Sequence, residues 1–302
     1  MSQLDRFHGA LLGLACGDAV GTTVEFQPRG SFAPLVDMVG GGPFSLQPGQ
    51  WTDDTSMALC LAESLVTQQA CDPLDQMQRY VRWYQQGHWS STGRCFDIGI
   101  ATSAALNRFL RNGDPLAGSV EARSAGNGSL MRLAPVAMFY AGDEAAVQEM
   151  AALSSRTTHG AEECIEACRV FAVALSRALL GADKAAVLDL GGLPLHSPKI
   201  AQIAQGSYRH KTREQIRGSG YVVDSLEAAL WCFARHDNFR DAVLEAANLG
   251  DDADTTAAIT GQIAGAFWGE QGIPAPWLQR LCRAGDIRGL AMQLAQAQQP
   301  KP

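Results

Sequence analysis

The sequence predicts an all-α fold, and three observations lead to that expectation. Four long segments carry apolar residues at the i, i+3, i+4 and i+7 spacing of an amphipathic helix. Alanine and leucine are abundant, whereas alternating runs of β-branched residues are almost absent. No linker, repeat or low-complexity stretch divides the 302 residues, so we expect one domain over residues 1–302, with a core from about residue 7 to residue 292. The helical segments are Thr55–Gln69, Ala161–Leu180, Ser225–Arg235 and Thr255–Trp268.

Glycine and proline punctuate the chain between these helices, at residues 40–48, 126–129, 191–198 and 272–276. Tyr221–Asp224 is the nearest approach to a strand, but it is too short to found a sheet. Gly261 and Gly265 lie four residues apart within the last predicted helix. Each glycine costs roughly 1 kcal/mol relative to alanine there, so the pair predicts a second helix packed very closely against this one. We expect Ala295–Pro302 to form a frayed tail.

The charge balance excludes several classes of function. Lys and Arg total 24 against 31 Asp and Glu, a net charge of −7, whereas nucleic-acid and anionic-membrane binding favour a basic stripe. No apolar stretch reaches the ~20 residues of a membrane span. The eight cysteines form no CxxC pair and lie mostly in apolar runs, which predicts buried free thiols in a reducing compartment. We therefore expect a cytoplasmic protein with no nucleic-acid or membrane partner, and a monomer by default.

Two acidic clusters each lead directly into an apolar helix. The first is the run WTDDT, which contains Asp53 and Asp54, and the second is GDDADTT, which contains Asp251, Asp252 and Asp254. Helix capping explains one or two carboxylates at a helix N-terminus. It does not explain three within four residues, where like charges repel. Crowded carboxylates beside threonine hydroxyls suit Mg²⁺, Mn²⁺ or Ca²⁺, so the spacing predicts a metal site.

Three further features have both a structural and a functional interpretation. Glu25 lies between Val24 and Phe26; it is either a surface glutamate or an acid/base group whose charged form is disfavoured by apolar neighbours. The glycine-rich loop AGNGSLMR, residues 125–132, could present backbone N–H groups to a phosphate. His159 precedes a predicted helix, where a histidine is either a structural hydrogen-bonding residue or a ligand contact.

Taken together, these segments resemble the ADP-ribosylglycohydrolase family. The matching stretches run in the family's order from about residue 7 to residue 270, and the paired TDDT and DADT motifs are highly specific when found together. The full set is GALLGLACGDAVGTTVEF, GGGPFSLQPGQWTDDTSMAL, GNGSLMRLAPVA, THG, YVVDSLEAALW and NLGDDADTTAAITGQIAGAFWG.

The resemblance implies a single compact helical domain with a binuclear Mg²⁺ or Mn²⁺ centre at the base of a cleft. At the matching positions it implies the metal ligands Thr52, Asp53, Asp54, Asp252, Asp254 and Thr255. Asp251 stands where relatives often have glycine and is left out of this set. Glu25 matches the family's catalytic or water-orienting glutamate. The substrate contacts that the resemblance implies are Asp97, Gly126, Asn127, Gly128, Ser129, Met131, His159 and Tyr221.

The implied reaction is hydrolysis of an N-glycosidic bond in a mono-ADP-ribosylated protein. An aspartate such as Asp97 near the scissile group suits a guanidinium, which favours ADP-ribosyl-arginine as the substrate. Three alternatives stay open at this point: an O-linked substrate (ADP-ribosyl-serine or O-acetyl-ADP-ribose), a non-catalytic ADP-ribose-binding protein, and a two-metal phosphohydrolase.

Overall fold

The computed structural model describes residues 1–297, and the regular secondary structure in that range is helical apart from three isolated β-bridges. This confirms the predicted all-α class. Short 3₁₀ helices span Thr22–Val24, Ala122–Ser124, Ser207–His210, Arg213–Gln215 and Glu270–Gly272. The α-helices are α1 Gln3–Gly21, α2 Asp53–Gln68, α3 Pro73–Gln86, α4 Ile100–Asn112, α5 Ala134–Phe139, α6 Glu144–Arg156, α7 Glu162–Leu179, α8 Lys184–Val187, α9 Pro198–Ala204, α10 Val222–Arg235, α11 Phe239–Ala247, α12 Ala253–Trp268, α13 Ala275–Arg280 and α14 Ala284–Ala297.

The four helices predicted from periodicity are present as α2, α7, α10 and α12. Two of their ends are as predicted, and the other six differ by one to three residues. The predicted frayed tail was partly wrong, because α14 continues to Ala297. The reason is a buried stripe on this helix, in which Ile287, Leu290, Ala291 and Leu294 recur at helical spacing. The rest of that prediction, residues 298–302, lies outside the described residues.

Helices α1 and α12 pack against each other at glycines along their length. A Cβ added to Gly13 would overlap the carbonyl of Gly261, and one added to Gly265 would overlap the carbonyl of Gly9. Gly17 meets Ala257 in the same way. The partners run in opposite directions along the two chains, so the helices are antiparallel. The predicted close approach at Gly261 and Gly265 is confirmed.

Substituting alanine at Gly261 should destabilise the protein by about 1–3 kcal/mol, because the new Cβ would meet Gly13 backbone that cannot move aside. Gly289 of α14 provides a matched control, since a Cβ there would meet nothing within 4 Å. Gly289→Ala should instead raise the free energy of unfolding by about 0.5–1 kcal/mol. Urea unfolding of the two variants measures both effects. Equal stabilities would contradict the close packing.

The antiparallel pairing of α1 and α12 brings the two acidic clusters of the sequence together. The C-terminal end of α1 lies beside the N-terminal end of α12, because Gly21 packs against Ala253 and Asp254. The N-terminus of α2 reaches the same place, where Asp18 of α1 accepts hydrogen bonds from the backbone of Thr52 and Thr55. The two acidic clusters, 200 residues apart in sequence, therefore meet at three helix ends.

The eight cysteines are free thiols, six of them buried, as predicted. Burial raises the pKa of the Cys71 thiol to about 11, which keeps it protonated near neutral pH. Within residues 1–297, no helix is both long and apolar enough to cross a bilayer.

Candidate active site

The three helix ends form the floor of a cleft of about 790 Å³. The turn after α1 contributes Glu25, the first turn of α2 contributes Asp53, and the first turn of α12 contributes Asp254. Of the residues singled out in the sequence, those lining the cleft are Glu25, Asp53, Asp97, Gly126, Asn127, Gly128, Met131, His159, Asp251, Asp252, Asp254 and Thr255.

Asp18 organises the floor, and the sequence analysis missed it. Its buried carboxylate accepts hydrogen bonds from the backbone N–H and the hydroxyl of Thr52, both at 2.9 Å. It also accepts from the N–H of Thr55 at 3.0 Å and from its hydroxyl at 2.6 Å. Asp18 thus caps α2 from another helix, and Thr52, at the N-cap position, makes no side-chain cap bond of its own. The signal in the sequence was an ionisable residue inside the apolar run of α1.

Burial, reinforced by neighbouring carboxylates, raises the pKa of the acids on the floor. The pKa values of Asp53, Asp54 and Asp254 lie well above their usual range. Burial and the nearby Asp97 raise the pKa of Glu25 to about 10, and burial raises that of Asp97 to about 7. No lysine, arginine or histidine in the described chain forms an ion pair with these groups. The floor therefore gathers carboxyl groups whose negative charge, when they ionise, no side chain within residues 1–297 neutralises.

The oxygen atoms of this cluster fit a divalent cation. Carboxylate oxygens of Glu25, Asp97 and Asp254 lie within 4.8 Å of one another. Within residues 1–297, buried oxygens of Glu25 (Oε2), Asp54 (Oδ1) and Asp254 (Oδ1) have no hydrogen-bond partner, whereas a buried polar atom normally has one. Hard oxygen donors of this kind suit Mg²⁺ or Mn²⁺. The cluster can therefore hold metal.

Two threonine hydroxyls complete the floor. The Thr52 hydroxyl lies 3.1 Å from Asp254 Oδ2 and 3.4 Å from Asp54 Oδ2, in addition to its bond to Asp18. The Thr255 hydroxyl donates to Asp54 Oδ2 at 3.4 Å. A hydroxyl has one proton to donate, so Thr52 can satisfy one of its three carboxylate neighbours. The oxygens left over are available to a cation.

The loop before α12 is held by backbone bonds. Asp251 donates its N–H to the carbonyl of Gln27 at 2.8 Å and accepts from the N–H of Phe26 at 2.7 Å. Asp252 donates its N–H to the carbonyl of Gly218 at 2.8 Å. These backbone hydrogen bonds hold the loop segment that carries Asp252 beside the segment that carries Glu25. The exposed carboxylate of Asp251 has no part in them.

Asp251 adopts the left-handed conformation, with φ 57°. We expect Asp251→Gly to raise the free energy of unfolding by up to about 1 kcal/mol, since glycine adopts this conformation without the Cβ clash, and to leave activity unchanged. Thermal unfolding and an activity assay provide the measurement. Asp251→Asn keeps the Cβ and removes only the charge, so it separates backbone strain from charge relief. A large loss of activity in either variant would show that Asp251 is part of the site.

The glycine-rich loop lies above the floor and touches it through Asn127. The Asn127 side chain donates from Nδ2 to Asp252 Oδ2 at 2.6 Å and to the hydroxyl of Ser225 at 2.9 Å. Gly128 packs on His159, where a Cβ would come within 2.7 Å of the imidazole Cε1. Ser129 does not line the cleft; its hydroxyl accepts from the Ser155 hydroxyl at 2.8 Å. The loop can therefore offer its backbone, rather than the Ser129 hydroxyl, to a ligand.

Asp97 and Tyr221 lie in two different places, Asp97 in the wall of the cleft and Tyr221 in a neighbouring hollow. Asp97, at φ 59°, lies in the wall formed by residues 97–102. Tyr221 lines an adjoining hollow of about 470 Å³, with Lys199 and Glu163. Its hydroxyl donates to Glu163 Oε2 at 2.5 Å and accepts from Lys199 Nζ at 2.6 Å. Asp97 is thus beside the acidic floor, whereas Tyr221 is beyond the glycine-rich loop.

An apolar wall of the cleft was not foreseen. Phe26, Ile98 and Ile100 line it, and Ile100 is 92% exposed. The Phe26 ring packs edge to face on Phe44, at 6.4 Å between centroids. Single exposed apolar residues carry no sequence signal, so only the fold shows that these three share one wall.

Comparison with known proteins places the whole chain in one group. The ADP-ribosylglycohydrolase family model matches residues 1–302. ADP-ribosylarginine hydrolase Tri1 of Pseudomonas putida is 50% identical over 96% of this chain and 78% of that protein. ADP-ribosyl-[dinitrogen reductase] glycohydrolase of Rhodospirillum rubrum is 32% identical over 92% of this chain and 90% of that protein. A solved structure titled "ADP-ribosylglycohydrolase-related protein complex" superposes with a TM-score of 0.88 at 44% identity, covering 98% of this chain and 99% of that one.

Proposed function

Because the chain belongs to the ADP-ribosylglycohydrolase family, we propose that it hydrolyses the N-glycosidic bond between ADP-ribose and an arginine side chain of a modified protein. The observation that carries the proposal is the unneutralised carboxylate cluster on the floor of the cleft. The names of the two relatives support arginine as the acceptor and a protein as the substrate.

The proposed cofactor is a pair of divalent cations, Mg²⁺ or Mn²⁺, held by Thr52, Asp53, Asp54, Asp252, Asp254 and Thr255. Four carboxylates balance the charge of two divalent ions, and partnerless oxygens on Asp54 and Asp254 support this assignment. When bound, such ions orient the ribose hydroxyls and a water molecule and make that water more acidic. Asn127 restrains Asp252 through its 2.6 Å hydrogen bond, so the ligand is oriented before metal arrives.

Glu25 is the proposed acid/base residue. It is 4% exposed and projects to the cleft between Phe26 and the floor, with Oε2 free of protein partners. A carboxyl group held in its protonated form by burial can transfer a proton at Oε2 near neutral pH. The neighbouring carboxylates of Asp97 and Asp252 add to the effect of burial and raise the affinity of Glu25 for that proton.

The remaining contacts are assigned by position in the cleft. Gly126, Gly128 and Met131 would lie against the diphosphate and ribose, with His159 beneath the loop. Asp97 would pair with the guanidinium of the leaving arginine, since it lies on the wall beside Glu25. Cleavage builds positive charge on the ribose, and the surrounding carboxylates favour that charge. Tyr221, in the adjoining hollow, would offer an aromatic face to a more distant part of ADP-ribose.

The test follows ADP-ribose release from an arginine-ADP-ribosylated protein in the presence of Mg²⁺, of Mn²⁺, and of chelator. Metal-dependent release of ADP-ribose is expected. Release of phosphate instead would identify a phosphohydrolase. Binding of ADP-ribose without release would move the assignment to an O-linked substrate or to a binding protein, and serine-linked and acetyl-linked substrates distinguish those two.

A further inference from the structure

Arg132, directly after the glycine-rich loop, is a buried cation with no acidic partner in the described chain. Its side chain is fully buried and forms no ion pair. It donates from Nη1 to the carbonyl of Gly128 at 2.8 Å, and from Nη2 to the hydroxyls of Thr157 at 3.1 Å and Thr158 at 2.8 Å. Burying a charge is costly unless it is hydrogen-bonded. These bonds and the Tyr80 ring, whose centroid lies 4.8 Å from the guanidinium carbon, compensate the buried charge, and the bond to Thr158 also ties it to the cleft.

The Thr158 hydroxyl connects Arg132 to His159. Its oxygen accepts from the guanidinium and lies 2.8 Å from His159 Nδ1. Because an arginine can only donate, the hydroxyl proton of Thr158 is free to point at Nδ1, the acceptor within reach. The reverse arrangement, with a proton on Nδ1, would leave the buried hydroxyl proton of Thr158 without an acceptor.

The other imidazole nitrogen then carries the proton. No residue within 1–297 forms a hydrogen bond to His159 Nε2, although the side chain is 3% exposed. His159 lines the cleft, and Nε2 lies under the glycines: a Cβ on Gly128 would come within 3.1 Å of it. Burial, helped by the nearby positive charge of Arg132, lowers the pKa of His159 to about 3, so the ring stays neutral.

We propose that Arg132 is a positioning residue that acts through Thr158 to hold His159 as a neutral Nε2–H donor aimed at an oxygen of the ligand. His159 is then a fixed hydrogen-bond donor and takes no part in proton transfer. The buried guanidinium adds a positive charge beneath the loop that would hold an anionic ligand. Only the choice of ADP-ribose as that ligand rests on the proposed function.

The test uses ¹⁵N-histidine NMR of the ligand-free protein, with the His159 signals identified from His159→Gln. The expected wild-type pattern is the neutral Nε2–H tautomer, unchanged from pH 5 to pH 8. Thr158→Val should alter the tautomer and weaken ADP-ribose binding about tenfold, as expected for one lost hydrogen bond. Thr158→Ser should restore both.

Thr157→Val is the matched control. Thr157 is equally buried and accepts from the same Nη2, but its hydroxyl donates to the carbonyl of Ser154 and forms no hydrogen bond with His159 in the described chain. It should leave the His159 signals and ADP-ribose affinity as in wild type, while thermal unfolding shows that both valine variants are folded. The proposal is overturned by an Nδ1-protonated or titrating His159 in wild type, or by equal effects of the two valine variants. If ADP-ribose fails to bind wild type, the proposed function fails, and the tautomer still decides the role of Arg132.

Discussion

Replacing Asp254 by asparagine is expected to abolish metal-dependent ADP-ribose release, lowering kcat more than about 100-fold. Asp254 is a buried member of the cluster and reaches both halves of the site. Its carboxylate lies within 4.8 Å of those of Glu25 and Asp97, and Oδ2 is 3.1 Å from the Thr52 hydroxyl. Asparagine preserves the shape but removes the charge and one metal-binding oxygen. Titration with Mn²⁺, followed by thermal unfolding, measures the loss of metal affinity directly.

The same substitution should have the opposite effect on the metal-free protein. Burial and neighbouring carboxylates raise the pKa of Asp254 well above its usual range, which means that its charged form destabilises the fold. Asp254→Asn should therefore melt at a higher temperature than wild type in chelator at pH 8, and gain little when Mg²⁺ or Mn²⁺ is added. Asp251→Asn makes the same charge change at an exposed residue of the cleft lining. If the two variants lose equal activity, Asp254 has no specific role.

The stability of the metal-free protein should also depend on pH, because ionisation of its buried carboxyl groups destabilises the fold. Burial raises the pKa of Asp18 from 3.8 to about 6 and that of Asp97 to about 7. Below about pH 4 these groups are protonated in the folded and the unfolded protein alike. Between pH 4 and pH 7 the unfolded chain loses protons that the folded protein retains, so the free energy of unfolding falls as pH rises. A cation that replaces those protons removes the penalty.

Thermal unfolding at pH 5 and pH 8, with chelator and with Mg²⁺ or Mn²⁺, tests this linkage. The metal-free protein should be less stable at pH 8 than at pH 5, and the cation should stabilise it most at pH 8. Identical pH dependence with and without metal would contradict a cation in this cluster.

Local sequence patterns predicted most of the fold, but only some of the contacts that form the candidate site. Helical periodicity identified α2, α7, α10 and α12, and two glycines identified the close packing of α12. The matching glycines on α1 follow the same spacing of four, at Gly9, Gly13, Gly17 and Gly21, and were not recognised as the other half of that contact. The antiparallel contact at these glycines brings the ends of two segments that are distant in sequence together. The sequence of either segment alone does not show which helix it will pack against.

The residues that sequence reasoning missed act through tertiary contacts. Asp18 reaches Thr52 across 34 residues. Asn127 was predicted as a substrate contact, but the hydrogen bond that it makes to Asp252 across 125 residues was not foreseen. Arg132 was part of a quoted motif, but its role depends on the neighbouring turn that holds Thr158. A motif shows which residue types are present. It does not show that one carboxylate caps another helix, or that the amide of a residue in the cleft lining also holds a carboxylate.

Glu25→Gln is expected to lower kcat by about 10²–10⁴-fold while leaving the Kd for ADP-ribose nearly unchanged. Glutamine has the same size and retains a hydrogen-bond acceptor, so the cleft keeps its shape, but it cannot take up or release a proton at the position of Oε2. Single-turnover kinetics give the rate of the chemical step, and calorimetry with ADP-ribose gives Kd. Glu149→Gln, an exposed change on α6 with the same loss of charge, is the control and should behave as wild type.

The metal response of Glu25→Gln separates two roles that the geometry allows. Glu25 shares the 4.8 Å cluster with Asp97 and Asp254, so it is close enough to bind a cation as well as to transfer a proton. An acid/base residue predicts a variant that is stabilised by Mn²⁺ as strongly as wild type yet turns over slowly. A ligand predicts that the Mn²⁺-induced stabilisation is lost together with activity. Loss of ADP-ribose binding with kcat unchanged would place Glu25 in substrate binding alone, because proton transfer at this carboxyl group would then not limit the reaction.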